Sequence, residues 1–209
     1  MIPNATRRAK VPPLASDAQE DAIARLLDLV TESAPEVAAH MERTARLASA
    51  LVQHLELGEP LSRLIVLTAR LHDVGKLRVP PWILEKNGPL TESELGLMQE
   101  HPVMGQDMLE RRSELLAIGP LVRATHERWD GTGYPDGLRG PAVPLPSRIV
   151  AVCDAFDAMT KPRVYSDSMS IRASLDELEA WSGSQFDPGV VAVFSDLVES
   201  RFDRRAKEA

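Results

Sequence analysis

The sequence predicts an all-α protein, and three observations carry that reading. From Asp17 onward apolar residues recur at three- and four-residue intervals, no stretch alternates apolar and polar residues as a half-buried strand would, and capping residues and prolines punctuate the pattern where helices start and stop. The expected architecture is a compact multi-helix bundle with one irregular glycine-rich loop, no internal repeat and no strand.

Residues 1–16 mix Pro3, Pro12 and Pro13 with Arg7, Arg8 and Lys10 and offer no apolar face, so they are expected to form a flexible tail. The remainder, 17–209, reads as a single helical domain. Ile23, Leu26, Leu27 and Val30 mark a first helix. A longer one is expected from Ser33 to Leu57, with Val37, His40, Met41, Thr44, Leu47, Ala48, Leu51 and Leu55 on one stripe and His54 off it, in solvent. Pro60 suits the first turn of a third helix, whose apolar positions Leu64, Ile65, Thr68 and Leu71 lead to Gly75, where a left-handed glycine would end it. The prolines of Arg78 to Pro89 call for irregular structure. Thr91 and Glu94 form a capping box opening a helix toward His101, and Pro102 puts His101 at a helix end or kink. Helices are then expected through Val103 to Leu109, from Leu115 to Glu127 with His126 near its end, from Ser147 to Thr160, from Ser170 to Trp181, and from Pro188 to Phe202 behind an Asp187 cap. Trp129 to Pro141, W-D-G-T-G-Y-P-D-G-L-R-G-P, fits neither helix nor strand, and so long a loop in a helical domain points to function.

Composition narrows the function. The chain has 209 residues, 44% hydrophobic and 26% charged, enough for a substantial core. A net charge of -7 argues against a nucleic-acid polymer as partner, because such binders neutralise phosphates with excess cationic side chains. No apolar run approaches the roughly eighteen residues that span a bilayer, and no apolar signal segment follows the basic N-terminus, so a cytoplasmic protein is expected. The single cysteine, Cys153, excludes an internal disulfide and reads as a small buried residue.

The chemistry lies in the histidines. Of five, His40, His72, His101 and His126 sit on apolar stripes or at helix ends, where a packed core can converge imidazoles on a point. His72 and Asp73 side by side could hold one divalent cation, with the second carboxylate oxygen free for another and Lys76 in reach of a bound anion. Glu36, one turn before His40, could flank an ion, or it could close a capping box with Ser33. Asp154 and Asp157 interrupt an apolar helix surface and need partners, of which a cation is one. Mixed nitrogen and oxygen donors suit iron, manganese or zinc better than magnesium or calcium.

Four separated motifs then occur in a particular order: H-D-V-G-K at His72 to Lys76, H-P at His101, H-E-R-W-D-G-T-G-Y-P-D-G at His126 to Gly137, and A-V-C-D-A-F-D-A-M-T at Ala151 to Thr160. In that order they resemble the signatures of the HD-GYP family, within the HD superfamily of metal-dependent phosphohydrolases, over roughly Ala34 to Phe202. The resemblance implies an HD-type bundle that hydrolyses cyclic di-GMP to linear pGpG, and to GMP after a second cut, with two divalent ions, or three, of iron or manganese. It implies that His40, His72, Asp73 and Asp154 hold the first ion and that Asp73 bridges to a second held also by His101 and His126. Glu36 would serve a third, Lys76 would stand beside the scissile phosphate, and Arg163 would meet the nucleotide's phosphate. Gly133, Tyr134 and Pro135 would offer a surface for a protein partner. The chain departs from the family at Thr125, where a second histidine is usual, and at Ser166, where a basic residue is often found. Two alternatives stay open: a weakly active or inactive regulatory module that binds nucleotide or a protein, and a phosphohydrolase of another nucleotide.

Overall fold

A computed structural model describes residues 17–161 and 168–208; the expected N-terminal tail, Arg163 and Ser166 lie outside that range. Ten α-helices succeed one another among the described residues: α1 Asp17–Ser33, α2 Pro35–His54, α3 Glu59–Leu71, α4 Pro81–Leu84, α5 Glu92–Gln99, α6 His101–Glu110, α7 Gly119–Arg123, α8 Leu145–Thr160, α9 Ile171–Ala180 and α10 Pro188–Glu208. Among the same residues there is no strand, only an isolated bridge between Ser182 and Phe186. The all-α expectation holds.

Two apolar clusters meet along α2 and α3. In one, Ala48 and Leu51 of α2 and Ile65 of α3 pack with Val150 and Phe156 of α8 and Phe194 of α10. In the other, Met41 of α2 and Leu71 of α3 pack with Ile23 and Leu26 of α1, Leu109 of α6 and Val122 of α7. Each fully buried Leu, Ile, Val, Phe or Met side chain contributes about 1.5–3 kcal/mol, and these contacts hold the helix ends in place.

Several boundaries differ from expectation, each for a local reason. The helix expected from Ser33 begins at Pro35, because a residue before proline is driven out of helical geometry; Ala34 has φ -151 and ψ 69. Ser33 therefore ends α1, no side chain caps α2, and the Ser33–Glu36 box does not form. The helix expected over Leu115 to Glu127 is broken at Gly119 and Pro120 into a 3-10 turn at Ser113–Leu115, the short α7, and a 3-10 turn at Ala124–His126. The stretch after Arg78 is less irregular than its prolines suggest, since Pro81 opens the single turn of α4. The helix expected from Ser147 starts at Leu145, with Pro146 inside its first turn. The Thr91–Glu94 capping box is present as expected.

Gly75 does not end α3. It lies in a 3-10 turn, Val74–Arg78, without a positive φ, and its small size serves another purpose. A Cβ placed there would stand 1.9 Å from the His101 carbonyl oxygen and 2.6 Å from the Gly105 nitrogen. Glycine thus lets α6 lie directly on this turn, which brings His101 to Asp73.

Candidate metal centre

His40 projects from α2, His72 follows the last residue of α3, Asp73 opens the 3-10 turn, His101 begins α6, His126 ends the turn after α7, and Asp154 lies on α8. These six side chains converge. His40, His72 and Asp73 form one group whose donor atoms lie within 4.8 Å of one another, and Asp73, His101 and His126 form a second. Asp73 belongs to both. Asp154 joins the first group, its Oδ1 2.8 Å from His40 Nε2 and 4.0 Å from His72 Nε2. In the second, His101 Nε2 stands 3.2 Å from Asp73 Oδ1 and 3.0 Å from His126 Nε2.

The outward nitrogen of three of these histidines is engaged. His72 Nδ1 donates to the Ala69 carbonyl at 2.8 Å, and His101 Nδ1 donates to the Met98 carbonyl at 2.7 Å. His40 Nδ1 bonds Asp157 Oδ2 at 2.7 Å, and Asp157 is fixed in turn by Arg43 Nε at 2.8 Å. Each contact leaves Nε2 facing the centre, the arrangement by which proteins set the tautomer and rotation of a metal-ligating imidazole.

The donors fit a cation. His72 Nε2 and Asp73 Oδ1 are both buried and, among the described residues, have no hydrogen-bond partner. Buried polar atoms of native proteins are almost always satisfied, and a divalent ion would satisfy both. Electrostatics agree. Burial works to raise the Asp73 carboxyl, but the Lys76 ammonium, 2.6 Å away, and then His72 and His101 hold it well below the usual carboxylate range. Burial also opposes ionisation of Asp154, and His40, by hydrogen bond, together with His72 keeps its carboxyl low. Burial, then proximity to His101, pushes His126 down to about 3, so it is the neutral imidazole that a metal requires. Burial would lower His40 too, but Asp154 and Asp157 raise it to about 9, so an arriving cation displaces a proton there.

The glycine-rich loop closes the site. His126 stacks on Tyr134, with ring centroids 5.2 Å apart and planes inclined by 3°, and Tyr134 N donates to the His126 carbonyl at 3.2 Å. The Tyr134–Pro135 bond is cis. Gly133 is obligatory, since a Cβ would meet Arg128 N at 2.3 Å. Glu127, 4% exposed, accepts from Asp136 N at 2.7 Å and Leu138 N at 3.0 Å, and Arg123 grips Asp136 from outside through paired bonds of 2.6 and 2.7 Å. Beside the two histidine–aspartate groups, the loop, α8 and the turn before α10 enclose a pocket of about 430 Å³, lined by His126, Tyr134, Asp154, Gln99 and Gln185 among others.

Sequence reasoning brought together His40, His72, Asp73, His101, His126, Asp154 and Lys76. Glu36 is exposed in the first turn of α2 and belongs to neither ligand group among the described residues. Asp157 interrupts the apolar surface as expected but pairs with His40 and Arg43. Thr125 is buried and donates its hydroxyl to the Val122 carbonyl at 2.8 Å. His54, expected in solvent, is exposed and pairs with Asp196 at 2.8 Å. Cys153 is buried, and burial raises its thiol. Sequence reasoning passed over Arg43 and Glu127. The spacing of Arg43 from His40, three residues along one helix face, was the available signal for the first; nothing local distinguished the second.

Fold and side chains together define a helical protein built around a shared histidine–aspartate centre suited to divalent ions. The chain belongs to the HD domain family in its HD-GYP form: the HD domain profile matches residues 25–190, and the HD and GYP signatures both fall at the centre. It is 38% identical over 175 residues to the cyclic di-GMP phosphodiesterase response regulator RpfG of Xanthomonas campestris, covering 83% of this chain and 46% of that protein. It is 34% identical over 177 residues to 3'3'-cGAMP-specific phosphodiesterase 2 of Vibrio cholerae, covering 84% and 34%. The HD domain of the L. monocytogenes phosphodiesterase PgpH superposes with a TM-score of 0.64 at 17% identity, covering 87% of this chain and 98% of that one, which supports the fold. The chain spans less than half the length of these two sequence relatives.

Proposed function

We propose that the protein hydrolyses a phosphodiester bond of a cyclic dinucleotide, cyclic di-GMP first, to linear pGpG and then GMP. The observation that carries this reading is Asp73 shared between two candidate ligand groups, with two of its neighbours, His126 and Asp154, lining a pocket of about 430 Å³. In the proposed assignment His40, His72, Asp73 and Asp154 hold one ion, and Asp73, His101 and His126 hold the other. Iron or manganese suits this donor set. Such ions, when bound, acidify water and neutralise charge on phosphoryl oxygens. The chain's own residues do the rest. Asp157 and the Ala69 and Met98 carbonyls hold the imidazoles in register, and Tyr134 shields one face of His126. Lys76, 23% exposed beside Asp73, supplies a positive charge toward the phosphate.

The finer parts of the proposal extend to further residues. Glu36, one turn from His40, is assigned to a third ion, and Arg163 to a substrate phosphate. The half-exposed bend Gly133, Tyr134, Pro135 is assigned to a protein partner. Residues 17–209 act as one domain, and the net charge of -7 with no helix among the described residues fit to cross a membrane supports a cytoplasmic location.

The similarity to cGAMP-specific phosphodiesterases of Vibrio cholerae favours one second reading, cleavage of the mixed guanine–adenine dinucleotide. The deciding experiment incubates manganese-loaded or iron-loaded protein with cyclic di-GMP and with 3'3'-cGAMP, follows products by chromatography, and measures metal content on the same sample. Production of pGpG that depends on metal supports the first reading. Binding without turnover under every metal condition would make the protein a regulatory module.

A further inference from the structure

We propose that Gln185 determines base specificity, presenting its amide donor to the acceptor edge of a guanine; this rests on the reading of the substrate as a cyclic dinucleotide. Gln185 lines the pocket that also holds His126 and Asp154, so a base seated there belongs to a nucleotide whose phosphate reaches the metal-ligating groups. Its orientation follows from chemistry. Arg128 Nη1 lies 2.8 Å from Gln185 Oε1, and because a guanidinium has donors only, the atom facing it must be the amide oxygen. The NH2 end is then the free end, and no group among the described residues hydrogen-bonds it.

The support behind Gln185 is rigid. Arg128 is held by Thr132 Oγ1 at 2.9 Å and lies over the Trp181 ring, 5.5 Å from its centroid. The Gln185 backbone is fixed at both ends, its nitrogen donating to the Trp181 carbonyl at 3.0 Å and its carbonyl accepting from Trp129 N at 3.1 Å. A fixed donor discriminates between purines. Guanine offers two acceptors, O6 and N7, along one edge, whereas adenine keeps N7 but places its N6 amino donor where guanine has O6, so a donor aimed at the O6 position meets an acceptor only in guanine. A donor held here therefore favours guanine.

Gln185→Glu tests this, because the carboxylate keeps an oxygen for Arg128 while replacing the donor with an acceptor. The experiment measures kcat/KM of the manganese-loaded wild type and variant on cyclic di-GMP, cyclic di-AMP and bis(p-nitrophenyl) phosphate, a diester without a purine. The expected result is a fall of about tenfold or more in the cyclic di-GMP to cyclic di-AMP ratio, with the base-free diester within about twofold of wild type. If the glutamate variant is poorly folded by thermal melt, Gln185→Met, which has neither donor nor charge, should lower cyclic di-GMP cleavage about tenfold and leave the base-free diester unchanged. An unaltered ratio, or an equal loss on the base-free diester, overturns the assignment of Gln185 alone. A wild type that cleaves bis(p-nitrophenyl) phosphate but neither dinucleotide overturns the substrate reading and this inference with it.

Discussion

Thr125→His should convert an unequal pair of metal sites into a more equal one. In the proposed assignment the first ion has four protein donors, His40, His72, Asp73 and Asp154, and the second has three, one of them the shared Asp73. Thr125 lines the pocket next to His126, but its hydroxyl is spent on the Val122 carbonyl at 2.8 Å and contributes nothing to the second ion. Structural zinc sites with four ligands bind with about 10–16 kcal/mol, or about 3 kcal/mol per ligand, so the missing donor corresponds to about a hundredfold in affinity. Replacing threonine costs about 1 kcal/mol for the lost hydrogen bond, well below what a new imidazole would contribute. Calorimetric titration of metal-stripped protein with manganese should resolve a tight site and one weaker by about two orders of magnitude. Desalted wild type should retain about one equivalent by elemental analysis. The histidine variant should retain close to two and reach half-maximal turnover at lower metal. A wild type already holding two ions with equal affinity, and a variant no different, would refute the reasoning, because a donor outside the assignment would then complete the second site.

Asp73→Ala should abolish both sites, since among the described residues Asp73 is the one common to the two groups; a purified variant retaining two equivalents of metal would contradict the shared assignment. Lys76→Ala should leave metal content at saturation unchanged while lowering turnover by about a hundred- to thousandfold, the range for removing one preorganised charge from a transition state. Loss of metal alongside activity would instead make the 2.6 Å pair with Asp73 its main role. Gly75→Ala should destabilise by at least about 1–3 kcal/mol, because its Cβ would overlap the His101 carbonyl, and should weaken second-site metal binding as His101 is pushed away; both are readable by thermal melts with and without manganese. Glu56→Gly should stabilise by about 1 kcal/mol. Glu56 has φ +49 in the position after α2 where its nitrogen bonds the Gln53 carbonyl and Leu57 N bonds the Val52 carbonyl, an ending that favours glycine, and a negative charge there opposes the helix dipole. An unchanged melting temperature would show that the carboxylate makes a compensating contact.

The helices were legible wherever a single stripe of apolar residues persisted, as in α2 and α3, because burial decides those elements and burial is written in periodicity. They were misread where short segments are fixed by packing around them. The stretch from Leu115 to Glu127 has an apolar pattern continuous enough to suggest one helix, yet Gly119 and Pro120 divide it, and the pieces survive because Leu115, Ile118 and Val122 are buried in the core. Gly75 was misread in a different way. Its role depends on a backbone twenty-six residues downstream, the His101 carbonyl, and no local rule can report a close approach between distant segments. Glu127 is a further case, since its two acceptor bonds to Asp136 and Leu138 exist only once the loop has folded back on itself.

The histidines of the proposed centre were legible because they are chemically rare, but the reason that two of them sit at helix ends emerges only from the hydrogen bonds. The last carbonyls of a helix have no partner within it and must be satisfied from outside. Ala69 lies in the last turn of α3 and Met98 in the last turn of α5, and each accepts from the Nδ1 of a histidine three residues on, His72 and His101. One bond therefore serves two ends at once: Nδ1 engages a carbonyl at a helix terminus, which at Met98 also accepts a backbone N–H at the cap, and it fixes the tautomer that turns Nε2 to the centre. His40 lies within α2, where the carbonyls are already used, and it needs a separate carboxylate, Asp157, with Arg43 behind it. The second cluster thus depends on a helix junction at His101 that Gly75 must allow, whereas the first rests on a helix interior braced by an ion pair. Substitutions that disturb backbone approach, such as Gly75→Ala, should accordingly weaken the second ion before the first, while Asp157→Asn or Arg43→Ala should weaken the first before the second. Metal titrations of these variants that showed parallel losses at both sites would mean that the two groups are supported as one unit, and that the separation drawn here between their supports is wrong.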